Sequence, residues 1–219
     1  MWGRRVNGVT LTFHLAGINN QNFLMRDQET GSFWQQVSGV AISGPLAGQS
    51  LTLIPADHLT FQQWKAEQPA GTILKDVARD LPDYAPKPWE ENVSGNTTRE
   101  PVVGINAFGA TRAYPEQAVL SEKLITDRVG SATVILVVGP DGKSIRAFRI
   151  DPAAEFFRED SGRMIDSATG NSWNFQGCTA GGTCLERVEI TEDYWFNWLN
   201  YHPDTTRFHA HLPAPASSR

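Results

Sequence analysis

Asp27-Gln28-Glu29-Thr30-Gly31-Ser32-Phe33-Trp34 returns later in the chain as Asp166-Ser167-Ala168-Thr169-Gly170-Asn171-Ser172-Trp173, and the reading of that recurrence decides the fold. Asp, Thr, Gly and Trp keep their places at a separation of 139 positions, and Met25 with Met164 extends the match upstream. Five residues are then dropped: Gly48, Leu51, Phe61, Trp64, Pro69 and Thr72 pair with Gly182, Leu185, Trp195, Trp198, Pro203 and Thr206 at a separation of 134. Two constant separations joined by one gap point to a duplicated supersecondary unit of roughly fifty residues. Two copies, rather than a longer array, predict two halves of one globule and not a solenoid.

Working outward from the first copy, Arg4 to Val6, the dipeptide Asn7-Gly8 and the alternating run 9–15 predict an opening hairpin, because Asn-Gly supplies the positive φ angles of a type I′ turn. Residues 51–54 read as an apolar strand. Thr60-Phe61-Gln62-Gln63 has capping-box spacing, Phe61 and Trp64 share one helical face, and Pro69 marks a stop, which predicts a short helix packed by its aromatics. Pro82, Pro86, Pro88 and the polar run 92–98, with its formal glycosylation sequons at Asn92 and Asn96, read as a linker. Beyond it come strands at 102–105 and 113–115, a short helix near 117–124, a buried strand at 133–138, a turn at Pro140-Asp141-Gly142 and a strand at 144–150. The second copy closes in the aromatic helix Tyr194 to Leu199.

The predicted organisation is a first repeat unit over residues 1–79 that lacks its front, a proline-rich polar linker over 80–101, a second repeat unit over 102–208, and a flexible tail over 209–219. The expected fold class is α+β and β-rich, with two pseudo-repeated β units that each carry a short aromatic helix.

Bulk properties narrow the function. A chain of 219 residues, 40% hydrophobic and 20% charged, is ordinary for a soluble globular protein. A net charge of −5 and a pI near 5.5 lack the basic excess that a phosphate backbone requires, so no nucleic-acid partner is expected. No apolar run reaches spanning length and no signal-peptide core follows Met1, so neither a membrane partner nor an export address is expected, and the chain as given reads as cytoplasmic. Cys178 and Cys184, separated by a glycine-containing loop, are either a disulfide or a pair of unreactive thiols.

The segment from Phe13 to Trp64, with Gly17, Asn22, Met25, Asp27, Thr30, Ser32, Trp34, Gln36, Gly44-Pro45-Leu46 and Gly48 in order, resembles the prokaryotic domain of unknown function 3179. The second unit is similar to it through Val103-Gly104, Ala113-Tyr114-Pro115, Asp127, Asp166, Thr169-Gly170, Trp173, Tyr194-Trp195-Phe196, Trp198 and Pro203-Asp204-Thr205. The resemblance implies a two-repeat member shortened at its N-terminus. It implies no activity, and the strand at 134–140 carries no cysteine to which cysteine chemistry of relatives could be carried over.

The chemistry is read from what remains. Gly-x-Ser-x-Gly, Ser-x-x-Lys, phosphate loops and dinucleotide fingerprints are missing, so no nucleotide or organic cofactor is expected. His209 and His211, with His202 nearby, read as surface histidines. Asp27 and Asp166, on turning backbone before Thr-Gly, are the oxygen ligands that Ca²⁺ or another divalent cation accepts. The same residues equally cap their own turns. Asp141 and Asp160 lie in similar glycine turns. His14 is the candidate general base of the first unit, and Asp27 is a catalytic candidate as well as a metal ligand. Trp34, Trp64 and Trp173 read as core residues of a duplicated fold or as a substrate-binding aromatic wall. The first functional expectation is a divalent-cation-assisted hydrolase of a small ester or lactone. Its alternatives are a non-catalytic small-molecule or sugar-binding module and a structural fragment of a larger exported protein. An unpaired sheet edge leaves room for a homodimer.

Overall fold

A computed structural model describes residues 1–19, 22–74 and 99–210. The predicted linker lies mostly outside the described residues, as do the two sequons and His211, and its last residue, Pro101, already belongs to a strand.

The opening hairpin joins β1 (Arg5–Val6) to β2 (Val9–Thr10), with Asn7 at φ 49° and Gly8 at φ 82°. The alternation over 9–15 predicts one strand, but the chain breaks after Thr10. The Leu11 amide donates to the Arg4 carbonyl and the Thr12 amide to the Glu29 carboxylate, so the backbone is redirected around a fully buried Leu11. It then enters β3 (Phe13–Asn19), which pairs with β4 (Asn22–Asp27). With β5 (Phe33–Gln35) and β6 (Ala41–Ser43) these form a sheet in the order β3-β4-β5-β6. Trp34, Leu11, Val6, Ala41 and Leu51 are its core. Residues 51–54 form no continuous strand: Leu53 makes a single antiparallel bridge to Trp2. Next comes α1 (Phe61–Glu67).

The second half begins with the hairpin β7 (Pro101–Ala107) and β8 (Ala110–Pro115), followed by α2 (Glu116–Glu122). The strands β9 (Leu124–Val129), β10 (Ala132–Val138) and β11 (Ile145–Ile150) follow, then β12 (Phe156–Arg158), β13 (Met164–Asp166), β14 (Ser172–Trp173) and β15 (Glu186–Val188). The chain ends in β16 (Thr191–Tyr194), α3 (Trp195–Tyr201) and β17 (Thr206–Arg207). Three sheets result, ordered β15-β11-β10-β9, β12-β13-β14 and β16-β7-β8-β17.

The apolar run of β10 explains the layering, because successive side chains leave a strand on opposite faces. Val134, Leu136 and Val138 pack with Val103, Ile105 and Tyr114 on one side, while Ile135 and Val137 pack with Phe148, Met164 and Phe175 on the other. The sheet containing β10 is therefore covered on both faces. The molecule is an α+β, β-rich protein, and among the described residues no helix is long and apolar enough to cross a membrane.

The two aromatic helices dock differently from one another. In α3, Trp198 is buried against Val102 and Ala113, and a Cβ on Gly104 would stand 2.3 Å from its ring. In α1 the aromatic packing expected from the sequence is largely a surface pair: Phe61 is 62% exposed and leans on half-buried Trp64, while the buried residue is Gln63. The Thr60 hydroxyl caps the helix by accepting from the Gln63 amide, but the Gln63 side chain turns to Glu67 instead of back to Thr60.

Candidate functional site

Asp27 and Asp166 each close their own turn. Asp27 ends β4, and its buried carboxylate accepts from the Thr30 amide at 2.6 Å, the Thr30 hydroxyl at 2.8 Å, the Gly31 amide at 3.1 Å and Trp34 Nε1 at 2.7 Å. Burial works to raise the Asp27 pKa, but these donors outweigh it and hold the carboxyl below its ordinary range. Asp166 ends β13 and accepts from the Thr169 hydroxyl at 2.6 Å and the Ala168 amide at 3.0 Å. The Thr169 bond holds its carboxyl low as well. The backbone frames match: the Gly31 amide donates to the Asp27 carbonyl and the Gly170 amide to the Asp166 carbonyl, with Met25 opposite Trp34 and Met164 opposite Trp173. Trp173 Nε1, however, is buried with no hydrogen-bond partner among the described residues.

The proposed catalytic pair is not brought together. Phe13 stands opposite Asp27 in the β3–β4 ladder, so exposed His14 projects from the other face of the ribbon. Asp27 and Asp166 lie in different sheets. Trp34 is sealed in the first core, Trp173 is half-buried in the second, and Trp64 rides on α1. Asp141 caps its turn and also accepts from the Thr60 hydroxyl, tying the start of α1 to the second half. Among the described residues no group of three His, Cys, Asp or Glu side chains is arranged to hold a metal ion. Cys178 and Cys184 form a disulfide across an isolated antiparallel bridge.

Aromatic, amide and carboxylate groups do converge elsewhere, in a cleft of about 320 Å³ between the halves. Trp2 and Asn22 come from the first half, His58 from the segment ahead of α1, and Glu189, Glu192 and Asp193 from β16 and the residues before it. Each has a hydrogen-bond partner, and the His58–Glu192 pair is exposed. Trp2 Nε1 donates to the Gln36 carbonyl at 2.6 Å, and Asn22 Nδ2 to Asn197 Oδ1 at 2.7 Å. Asn197 in turn donates to both oxygens of Asp193, while Glu189 accepts from the Ala56 amide. His58 Nδ1 lies 3.2 Å from Glu192 Oε2. The described lining contains no lysine or arginine, so the cleft is acidic.

Sequence reasoning missed these residues because none belongs to the matched octapeptides. One signal was available: His58 and Glu192 stand 134 positions apart, the same separation that relates α1 to α3. The cleft lies between the residues ahead of α1 and those of β16.

Layered β-rich halves with an acidic, aromatic-edged cleft between them define an α+β protein whose recess is of small-ligand size. The chain belongs to the family described as protein of unknown function (DUF3179), whose model matches residues 1–205. No curated protein and no solved structure matches it.

Proposed function

We propose that the protein binds a small sugar-like ligand in the cleft between its halves, and that the halves are two copies of one ancestral unit. The binding reading is carried by the meeting of His58 and Glu192 across a recess edged by Trp2. An indole beside carboxylates and amides suits a ring with one apolar face and several hydroxyl donors. The acidic lining favours an amino group on that ring, because a carboxylate that loses water on binding is best compensated by a cation.

Duplication is supported by correspondences that packing does not require. The helices span 61–67 and 195–201, and they end at Gln68 (φ −126°, ψ 67°) and His202 (φ −132°, ψ 67°). Gly48 and Gly182 share a φ of 83°.

The test is a titration followed by intrinsic tryptophan fluorescence and thermal shift, with glucosamine, glucose and N-acetylglucosamine as probes. Glucosamine is expected to bind most tightly, and Glu192→Gln or Trp2→Ala to weaken it by about ten-fold, the loss expected for one charge-assisted hydrogen bond or one stacked ring. A flat response to all three sugars counts against the reading.

The second reading, hydrolysis of a small ester or lactone with a divalent cation, is favoured by the same pair, since a carboxylate-oriented imidazole is the arrangement of a general base. The candidates His14 and Asp27 do not line this cleft. Turnover that disappears with EDTA, returns with Ca²⁺ and is lost in His58→Gln supports hydrolysis; turnover indifferent to all three removes it.

A further inference from the structure

The two walls of the cleft are held by different forces. On the second-half side, Thr191 to Tyr194 is strand β16, hydrogen-bonded to β7 in a four-stranded sheet. The corresponding stretch of the first half, residues 55–59, belongs to no strand. Its amide at Ala56 donates to the Glu189 side chain, and the amide of Thr60 to the Ser144 hydroxyl. The stronger attachments are ionic. Arg146, 3% exposed, donates to Asp57 at 2.6 Å and, in bidentate fashion, to Glu67 at 2.6 and 2.8 Å, and Arg187 also reaches Asp57. The Phe175 ring lies 4.5 Å beneath the Arg146 guanidinium. Apolar anchoring is slight: Leu59 is partly buried against the second core, while α1 buries Gln63 and leaves Phe61 exposed.

We propose that the stretch from Pro55 to Glu67 is a hinged wall of the cleft, latched shut by Asp57 and Glu67 on Arg146 and able to open while the sheets stay folded. Asp57 sits between Ala56 and His58, which both line the cleft, so releasing the latch withdraws one wall and leaves β16 in place. Opening breaks mainly side-chain bonds, that of the Thr60 hydroxyl to Asp141 among them, and costs little apolar burial, and segments with few buried apolar contacts are those that open locally. That the wall gates a ligand rests on the binding reading above; that it opens does not.

Amide hydrogen exchange on the full chain, read by mass spectrometry without any ligand, tests the opening. In the native protein, residues 61–67 are expected to exchange faster than those of β10. Glu67→Gln, which leaves Asp57 on Arg146, is expected to speed exchange over 61–67 by about ten-fold, the equivalent of one charge-assisted hydrogen bond, with β10 unchanged. Asp57→Asn combined with Glu67→Gln should speed it further. Exchange over 61–67 that tracks β10 in every variant, or that ignores both substitutions, overturns the proposal. The sugar titration then fails or succeeds independently of this outcome.

Discussion

Asp27 and Asp166 occupy the same place in the same turn but carry different loads. Asp27 additionally accepts from Trp34 Nε1, deep in the first core, whereas Trp173 offers Asp166 no such bond. Asp27→Asn turns one acceptor oxygen into a donor facing donors, and is expected to cost about 2 to 3 kcal/mol in urea unfolding, the loss of charge-assisted bonds at a buried site. Asp166→Asn should cost less. The same contacts set the acid limit. The carboxyls of Asp27, Glu67 and Asp141 are held low in the folded chain against burial, by bonds from Trp34 and Thr30, from Arg146, and from Ser144 and Thr60 respectively. Groups with depressed folded pKa values stabilise the fold fully above their unfolded values, near 4, and that stability is lost as pH falls from there through the folded values. Unfolding free energy is therefore expected to fall below about pH 4. Asp27→Asn should flatten that slope, and an unchanged slope would remove Asp27 from the account. The turn itself was legible in Asp-x-x-Thr-Gly, because its hydrogen bonds span only three or four residues. The Trp34 partner was not, since nothing in the spacing says which way the indole points.

At the scale of elements, α1 and α3 were both readable from aromatic spacing and stop signals, yet only α3 is packed by its aromatic face. The difference comes from what each helix meets. Trp198 lies on Gly104 of β7, where the missing side chain makes room for the ring, and its Nε1 donates to Thr205. Trp64 lies over Gly71, half-exposed. Gly104→Ala is expected to cost about 1 to 3 kcal/mol by overpacking a site with no room to yield. Gly71→Ala should cost less, because Trp64 can swing outward. Equal costs in thermal or urea unfolding would mean that the burial of Trp198 is not what docks α3. The hairpin ends short of the alternating run for a related reason. Alternation over 9–15 has the right period for one strand, but buried Leu11 and the long-range bond from Thr12 to Glu29 redirect it.

Across the whole molecule, each sheet among the described residues has outer strands, and β3 is one that exposes apolar side chains. In the sheet ordered β3-β4-β5-β6, β3 is an outer strand, with Leu15 62% and Ile18 73% exposed. Such an edge is expected to pair with a second copy as concentration rises, and Ile18→Lys to restore the monomer. Light scattering after size exclusion decides it, a monomer at every concentration being the contrary result. The sequence by itself determined the β-rich class, the family, the recurring Asp-x-x-Thr-Gly turns and the positions of both aromatic helices, because each rests on bonds or periodicities within a few residues of chain. Only the tertiary structure decided that Asp27 faces away from His14, that Arg146 fastens α1, and that Trp2, His58 and Glu192 share a cleft. Those arrangements join groups up to 190 positions apart, and their geometry is set by how sheets stack, which no local pattern encodes.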